Sequence, residues 1–145
     1  MDMTRHARHA LLAGAAAAAL VPVALASAQD GPPTPTASAA ATKTVTMQGV
    51  AFSPKTVRIS KGGKVRFRWA DNGIVHNVTP VGSKRFKLVV NGRSRATASN
   101  RTKGTVTTAA ITKAGTYTYI CTIHAQSEPD GSFAPGSMVG RIIVK

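Results

Sequence analysis

Cys121 and His124 lie three residues apart at the end of an alternating run, Tyr117-Thr118-Tyr119-Ile120-Cys121-Thr122-Ile123-His124. A second histidine, His76, stands far upstream in Ile74-Val75-His76-Asn77-Val78. A methionine, Met138, opens the closing run Met138-Val139-Gly140-Arg141-Ile142-Ile143-Val144-Lys145. A thiolate, two imidazoles and a thioether suit a soft metal such as copper. The Cys-x-x-His spacing lets one loop present two donors to one ion, and His76 must then be brought in by the fold. Each residue also has a plainer use. A histidine on an apolar strand is often simply part-buried, a free cysteine packs as a small hydrophobe, and a Cys-His-His set also suits zinc.

The N-terminus reads as an export signal. Arg5 and Arg8 give a basic start, Ala10 to Leu25 is an apolar run, and Ala26-Ser27-Ala28 is a small-x-small cleavage site before Gln29. A retained membrane anchor is the alternative, but the run is alanine-rich and contains Pro22, whereas a span needs about 20 strongly apolar residues. Residues 1–28 are therefore expected to be a secretory signal, and the protein to be periplasmic, cell-surface or secreted. Residues 29–43, rich in Pro, Thr and Ala, are expected to form an extended linker. The mature chain retains two histidines (His76, His124), one cysteine and two methionines (Met47, Met138). Its soft donors are thus the proposed set plus Met47, for which core packing accounts. A single thiol in an exported protein excludes an internal disulfide and calls for an explanation; metal ligation is one, inert burial another.

The whole chain of 145 residues carries a formal charge of +14. Loss of Arg5, Arg8 and Asp2 with the signal leaves 17 basic and 4 acidic residues, or +13. Such a charge speaks to partners rather than fold. Acidic proteins and anionic envelope surfaces fit it. Nucleic acid does not, because the chain is exported and its cations are spread along alternating strands without a recognisable binding motif.

The elements that must position the donors show a period of two from Thr44 onward. Val45, Met47 and Gly49 share a face; Val57 and Ile59 alternate with Thr56 and Arg58; Val65, Phe67 and Trp69 alternate with Arg66 and Arg68. Phe52-Ser53-Pro54 reads as a turn or strand edge. Lys61-Gly62-Gly63-Lys64, Asp71-Asn72-Gly73 and Lys113-Ala114-Gly115 read as turns, and Asn91-Gly92 is a strong hairpin signal. Further strands are expected at 75–81, around Phe86, Leu88 and Val90, at 106–111, 116–121 and 138–144. Residues 93–103, polar and basic, are expected to be a mobile loop, and 125–137 a solvated insertion in which Phe133, Ala134 and Pro135 could give an apolar contact beside His124. Seven to eight short strands and no helix argue for an all-β sandwich or barrel.

The pieces in this order, Phe52-Ser53-Pro54, Gly62-Gly63-Lys64-Val65, Trp69-Ala70-Asp71-Asn72, His76-Asn77, Gly115-Thr116-Tyr117-Thr118-Tyr119, Cys121-x-x-His124 and Met138-Val139-Gly140, resemble the cupredoxin family of small blue copper proteins, typified by plastocyanin and pseudoazurin. The resemblance covers residues 44–145. It implies a Greek-key β-sandwich holding one copper ion, with His76, Cys121 and His124 as equatorial ligands and Met138 as the weak axial group. It implies that His124 is the ligand nearest the surface, and that Asn77 ties the two ligand loops together through Thr122. The function implied is Cu(I)/Cu(II) electron transfer between redox partner proteins, by a monomeric carrier and not an enzyme. Many members place the methionine only a few residues after the second histidine; here residues 125–137 intervene, so Gln126 or no axial ligand rivals Met138. A copper storage or delivery protein, and a metal-free basic binding module, are the other classes that the residues allow.

Overall fold

A computed structural model describes residues 40–71 and 73–145. The signal sequence read at 1–28 and most of the 29–43 segment lie outside the described residues. Eleven strands form two sheets packed face to face as a sandwich: β1 (Thr42–Met47), β2 (Phe52–Ser53), β3 (Thr56–Ile59), β4 (Lys64–Trp69), β5 (His76–Val81), β6 (Leu88–Val90), β7 (Arg93–Arg95), β8 (Ala98–Arg101), β9 (Gly104–Thr108), β10 (Gly115–Ile120) and β11 (Val139–Val144). The first sheet runs β2-β1-β4-β9-β6-β7 and the second β3-β11-β10-β5-β8. The pairs β1–β4 and β3–β11 are parallel, whereas the remaining neighbours are antiparallel. Parallel neighbours cannot be joined by a tight hairpin, so the chain crosses between the sheets, and each sheet mixes early and late strands.

The alternation read from the sequence is what closes the sandwich. On β4, Val65, Phe67 and Trp69 are buried and Lys64, Arg66 and Arg68 exposed. Register sets Val45 opposite Phe67 and Met47 opposite Trp69 on one inner face, and Tyr117 opposite Ile142 on the other. Between the sheets the Tyr119 ring meets Phe52 and Phe67 edge-on at centroid distances of 4.8 and 5.0 Å. Such edge-to-face pairs add about 0.5–1.5 kcal/mol each beyond the area they bury.

The strand count exceeds the seven to eight expected, because several strands have only two to four residues. Residues 93–103 are not a simple loop. Asn91 and Gly92, with φ of 49° and 73°, make the two-residue hairpin turn that their sequence signals and return the chain as β7 beside β6. All three β7 residues are exposed, so the strand is held by backbone pairing and leaves no hydrophobic period to read. β1 begins at Thr42, two residues before the period becomes visible. Gly49 does not share the Val45 and Met47 face, because the strand ends at Met47 and Gly49 turns at φ 57°.

Candidate metal centre

The donors meet at one rim of the sandwich. β10 ends at Ile120, and the chain then makes a tight turn in which the Cys121 carbonyl accepts the N–H groups of His124 (3.0 Å) and Ala125 (2.9 Å). That turn folds His124 back over the cysteine. His76 arrives as the first residue of β5, where a register irregularity between His76 and Val78 loosens the pairing with β8. The Cys121 Sγ stands 3.5 Å from His124 Nδ1 and 3.9 Å from His76 Nδ1. One donor atom from each of the three residues falls within 4.8 Å of the others. The two imidazoles are tilted at 57° with centroids 5.0 Å apart. Cys121 and His76 are fully buried and His124 is half-buried.

Met138 is brought to the same rim by a closed loop. Within 125–137, Ser127 bridges Phe133, the Ala134 N–H donates to the Gln126 carbonyl at 2.9 Å, and the Glu128 N–H to the Ser132 carbonyl at 2.9 Å. The insertion is therefore a small hairpin whose two ends lie together. Its return is locked by two backbone bonds of 3.1 Å, Met138 N–H to the His124 carbonyl and Cys121 N–H to the Met138 carbonyl. The Met138 side chain is buried, while Gln126 is exposed. Phe133 and Ala134 line a groove with Lys55 and Arg141, away from His124. Of the three apolar loop residues only Pro135 reaches the groove of about 360 Å³ beside His124, which Val50 and Ile123 also line. Val50 and Ile123 are 49% and 47% exposed, so they supply the apolar surface expected of Phe133 and Ala134.

Hydrogen bonds hold the donors from behind. The Asn77 backbone N–H donates to Cys121 Sγ at 3.4 Å. The Asn77 side chain donates to Thr122 Oγ1 at 2.7 Å and accepts the Thr122 N–H at 3.0 Å. It also donates to Asn100 Oδ1 at 2.9 Å. The His76 Nε2–H donates to Asp71 Oδ2 at 2.9 Å, and the Gly49 N–H donates to Asp71 Oδ1 at 3.1 Å. The His76 bond foremost, and the Gly49 bond after it, hold the Asp71 carboxyl below the ordinary carboxylate range. A carboxylate on Nε2–H fixes the tautomer that leaves Nδ1 with a free lone pair. Trp69 Nε1–H donates to the His76 carbonyl at 2.9 Å, and the Arg101 guanidinium lies 5.2 Å from the Trp69 ring centre.

Two of these residues escape a reading of the sequence alone. Asp71 reads as part of an Asp-Asn-Gly turn; its one further signal is a carboxylate five positions before a candidate ligand histidine. Asn100 sits in the segment read as a loop, and nothing local marks it. Trp69 reads as a core aromatic, which it is, but its indole also anchors the His76 backbone.

The donor set fits copper. A buried thiol and two imidazole nitrogens converge with a buried methionine at the same rim, and thioether with thiolate favours soft copper over zinc. A family model described as copper binding proteins, plastocyanin/azurin family, matches residues 39–145. The chain belongs to this family. Among solved structures, this cupredoxin is similar to an amicyanin variant in its reduced Cu(I) form at pH 4 (21% identity, 72% of this chain and 82% of that one, TM-score 0.49). It is also similar to a second reduced amicyanin variant (22%, 77% and 87%, 0.49) and to a Sinorhizobium pseudoazurin (24%, 72% and 74%, 0.47). Comparison with curated protein sequences found no match.

Proposed function

We propose that this cupredoxin is an exported type 1 copper protein that carries single electrons between redox partners, in which His76, Cys121, His124 and Met138 would hold the copper ion. The observation that supports it best is the convergence of Cys121 Sγ with the Nδ1 atoms of His76 and His124 at 3.9 and 3.5 Å in a buried rim. Copper bound by such a set supplies one-electron cycling between Cu(I) and Cu(II). The chain supplies the rest. Asp71 orients the His76 ring and keeps its Nδ1 available. The Asn77 N–H donates to the Cys121 sulfur and draws charge from it. The Asn77–Thr122 pair and the Met138 backbone bonds clamp the ligand loops together, so the donors need move little when the charge at the site changes.

His124 is the half-buried donor, and the exposed Val50 and Ile123 beside it make an apolar contact area for a partner. A four-donor set leaves no open coordination position of the kind catalytic metal sites keep, which favours a carrier over an enzyme. The basic start, apolar run and small-x-small site at 1–28 support export.

The test is a visible absorption spectrum during Cu(II) titration, beside a Cys121→Ser control. An intense blue band at one equivalent, bleached by reductant and absent from the control, is the expected result. No band with the thiol still freely titratable overturns the reading. Rapid hand-over of the copper to a chelator would mean delivery rather than electron carriage.

A further inference from the structure

No strand carries an aspartate or glutamate, although lysine or arginine occurs on six of the eleven. Among the described residues the acidic side chains are Asp71, Glu128 and Asp130, in the segments that flank the metal rim. The one ion pair among the described residues joins Asp71 to His76. Apart from the half-buried Arg101 over the Trp69 ring, the strand cations are therefore exposed and have no carboxylate partner among the described residues.

Three of them form a row. Lys64, Arg66 and Arg68 are the exposed positions of β4, which lies between β1 and β9 inside the first sheet. Register places Thr44 and Thr107 on either side of Arg66, and Thr46 and Thr105 on either side of Arg68. Alternate residues of a strand are about 6.6–6.8 Å apart and neighbouring strands about 4.7–4.9 Å. The outer face of β1, β4 and β9 is thus a straight file of cations between two files of threonine hydroxyls. No apolar side chain occupies the outward positions of these three strands.

We infer that this face docks an extended phosphate-bearing polymer of the cell envelope, laid along β4. The guanidinium fork matches phosphate oxygens in pairs, and threonine hydroxyls donate to them. A linear file of charges suits a linear polyanion. A bilayer would favour apolar side chains among the cations, and none is there. A polymer lying on this side leaves the groove beside His124 open.

The test is calorimetric titration of the purified protein with linear inorganic polyphosphate at several salt concentrations. A Lys64→Gln/Arg66→Gln/Arg68→Gln variant is compared with an Arg93→Gln/Arg95→Gln/Lys113→Gln variant that loses the same charge from other exposed positions. Loss of the β4 file should weaken binding by about tenfold or more and lower the slope of log affinity against log salt by about two to three, one counterion per cation. The control should change affinity less than about threefold. A milder Thr46→Ala/Thr105→Ala variant, which keeps every charge, should weaken binding by about two- to fivefold. Equal losses in the two charge variants would show that net charge alone governs binding and overturn the inference, as would undiminished binding without the β4 file. Tighter binding to phosphatidylglycerol vesicles than to polyphosphate would overturn the polymer in favour of a membrane. The affinity is read without copper, so its failure is separable from failure of the copper reading.

Discussion

His76 is clamped at ring and backbone: its Nε2–H donates to Asp71, and its carbonyl accepts the Trp69 indole N–H. Groups that orient a ligand in this way commonly hold a 10–100-fold share of metal affinity. Asp71→Asn should therefore weaken copper binding by about 10–100-fold in competition with a chelator, and shift the visible band because the ring is freer to rotate. Unchanged affinity and spectrum would remove Asp71 from the site. The same contact sets a pH dependence in the metal-free protein. The Asp71 carboxyl is depressed in the folded state, so the unfolded chain takes up this proton first. Its contribution to stability is present above about pH 4 and is lost as pH falls through the lower folded value. The difference in melting temperature between the wild-type protein and Asp71→Asn should be widest near neutrality and close below about pH 4. A difference that stays constant across that range would contradict this assignment.

At the level of elements, the antiparallel β10–β11 pair carries the cysteine and the methionine at the same end, just beyond Ile120 and just before Val139, and its fit depends on one small residue. Tyr119 lies opposite Gly140, and a Cβ built on Gly140 would collide with the tyrosine ring. Gly140→Ala should cost about 1–3 kcal/mol or more, the usual range for overpacking, read by denaturant unfolding. It should also displace the Cys121–Met138 backbone bond, and so perturb the visible spectrum of the copper-loaded protein. The ring has a second peculiarity. The Tyr119 hydroxyl is buried and meets no hydrogen-bond partner among the described residues, and burial pushes its phenol well above the ordinary value. Since an orphan buried polar group is costly, Tyr119→Phe should hold or raise stability by about 1 kcal/mol. A clear loss of stability would mean that the hydroxyl has a partner in solution.

For the whole molecule, charge and site are segregated. The sheets are cationic on their outward positions, while the acidic side chains among the described residues stand in the segments at the metal rim. With the proposed signal removed the charge is +13, which would draw the proposed acidic redox partner from a distance, and such steering is screened over about 10 Å at 0.1 M salt. Electron exchange with an acidic partner should slow steadily as ionic strength rises. A rate that is flat with salt would leave docking to the apolar surface at Val50 and Ile123 alone.

Much of this was legible in the chain itself. The alternation of Val65, Phe67 and Trp69 with Lys64, Arg66 and Arg68 determines which face is buried, because a strand's side chains must point to opposite sides. Asn91-Gly92 dictates its turn, since both positions need positive φ. The donor types and the Cys-x-x-His spacing announce a soft metal, because few other chemistries use them together. What only the tertiary structure decided is non-local. β7 and β8 exist through backbone pairing with β6 and β5 and have no apolar period of their own. His76 meets Cys121 across 45 positions, and Asn100 reaches Asn77 across 23. The 125–137 loop folds onto itself, so that His124 and Met138 are joined by one backbone hydrogen bond and Met138 and Cys121 by another. Register between strands settles these meetings, and register depends on how two faces pack rather than on either segment read alone.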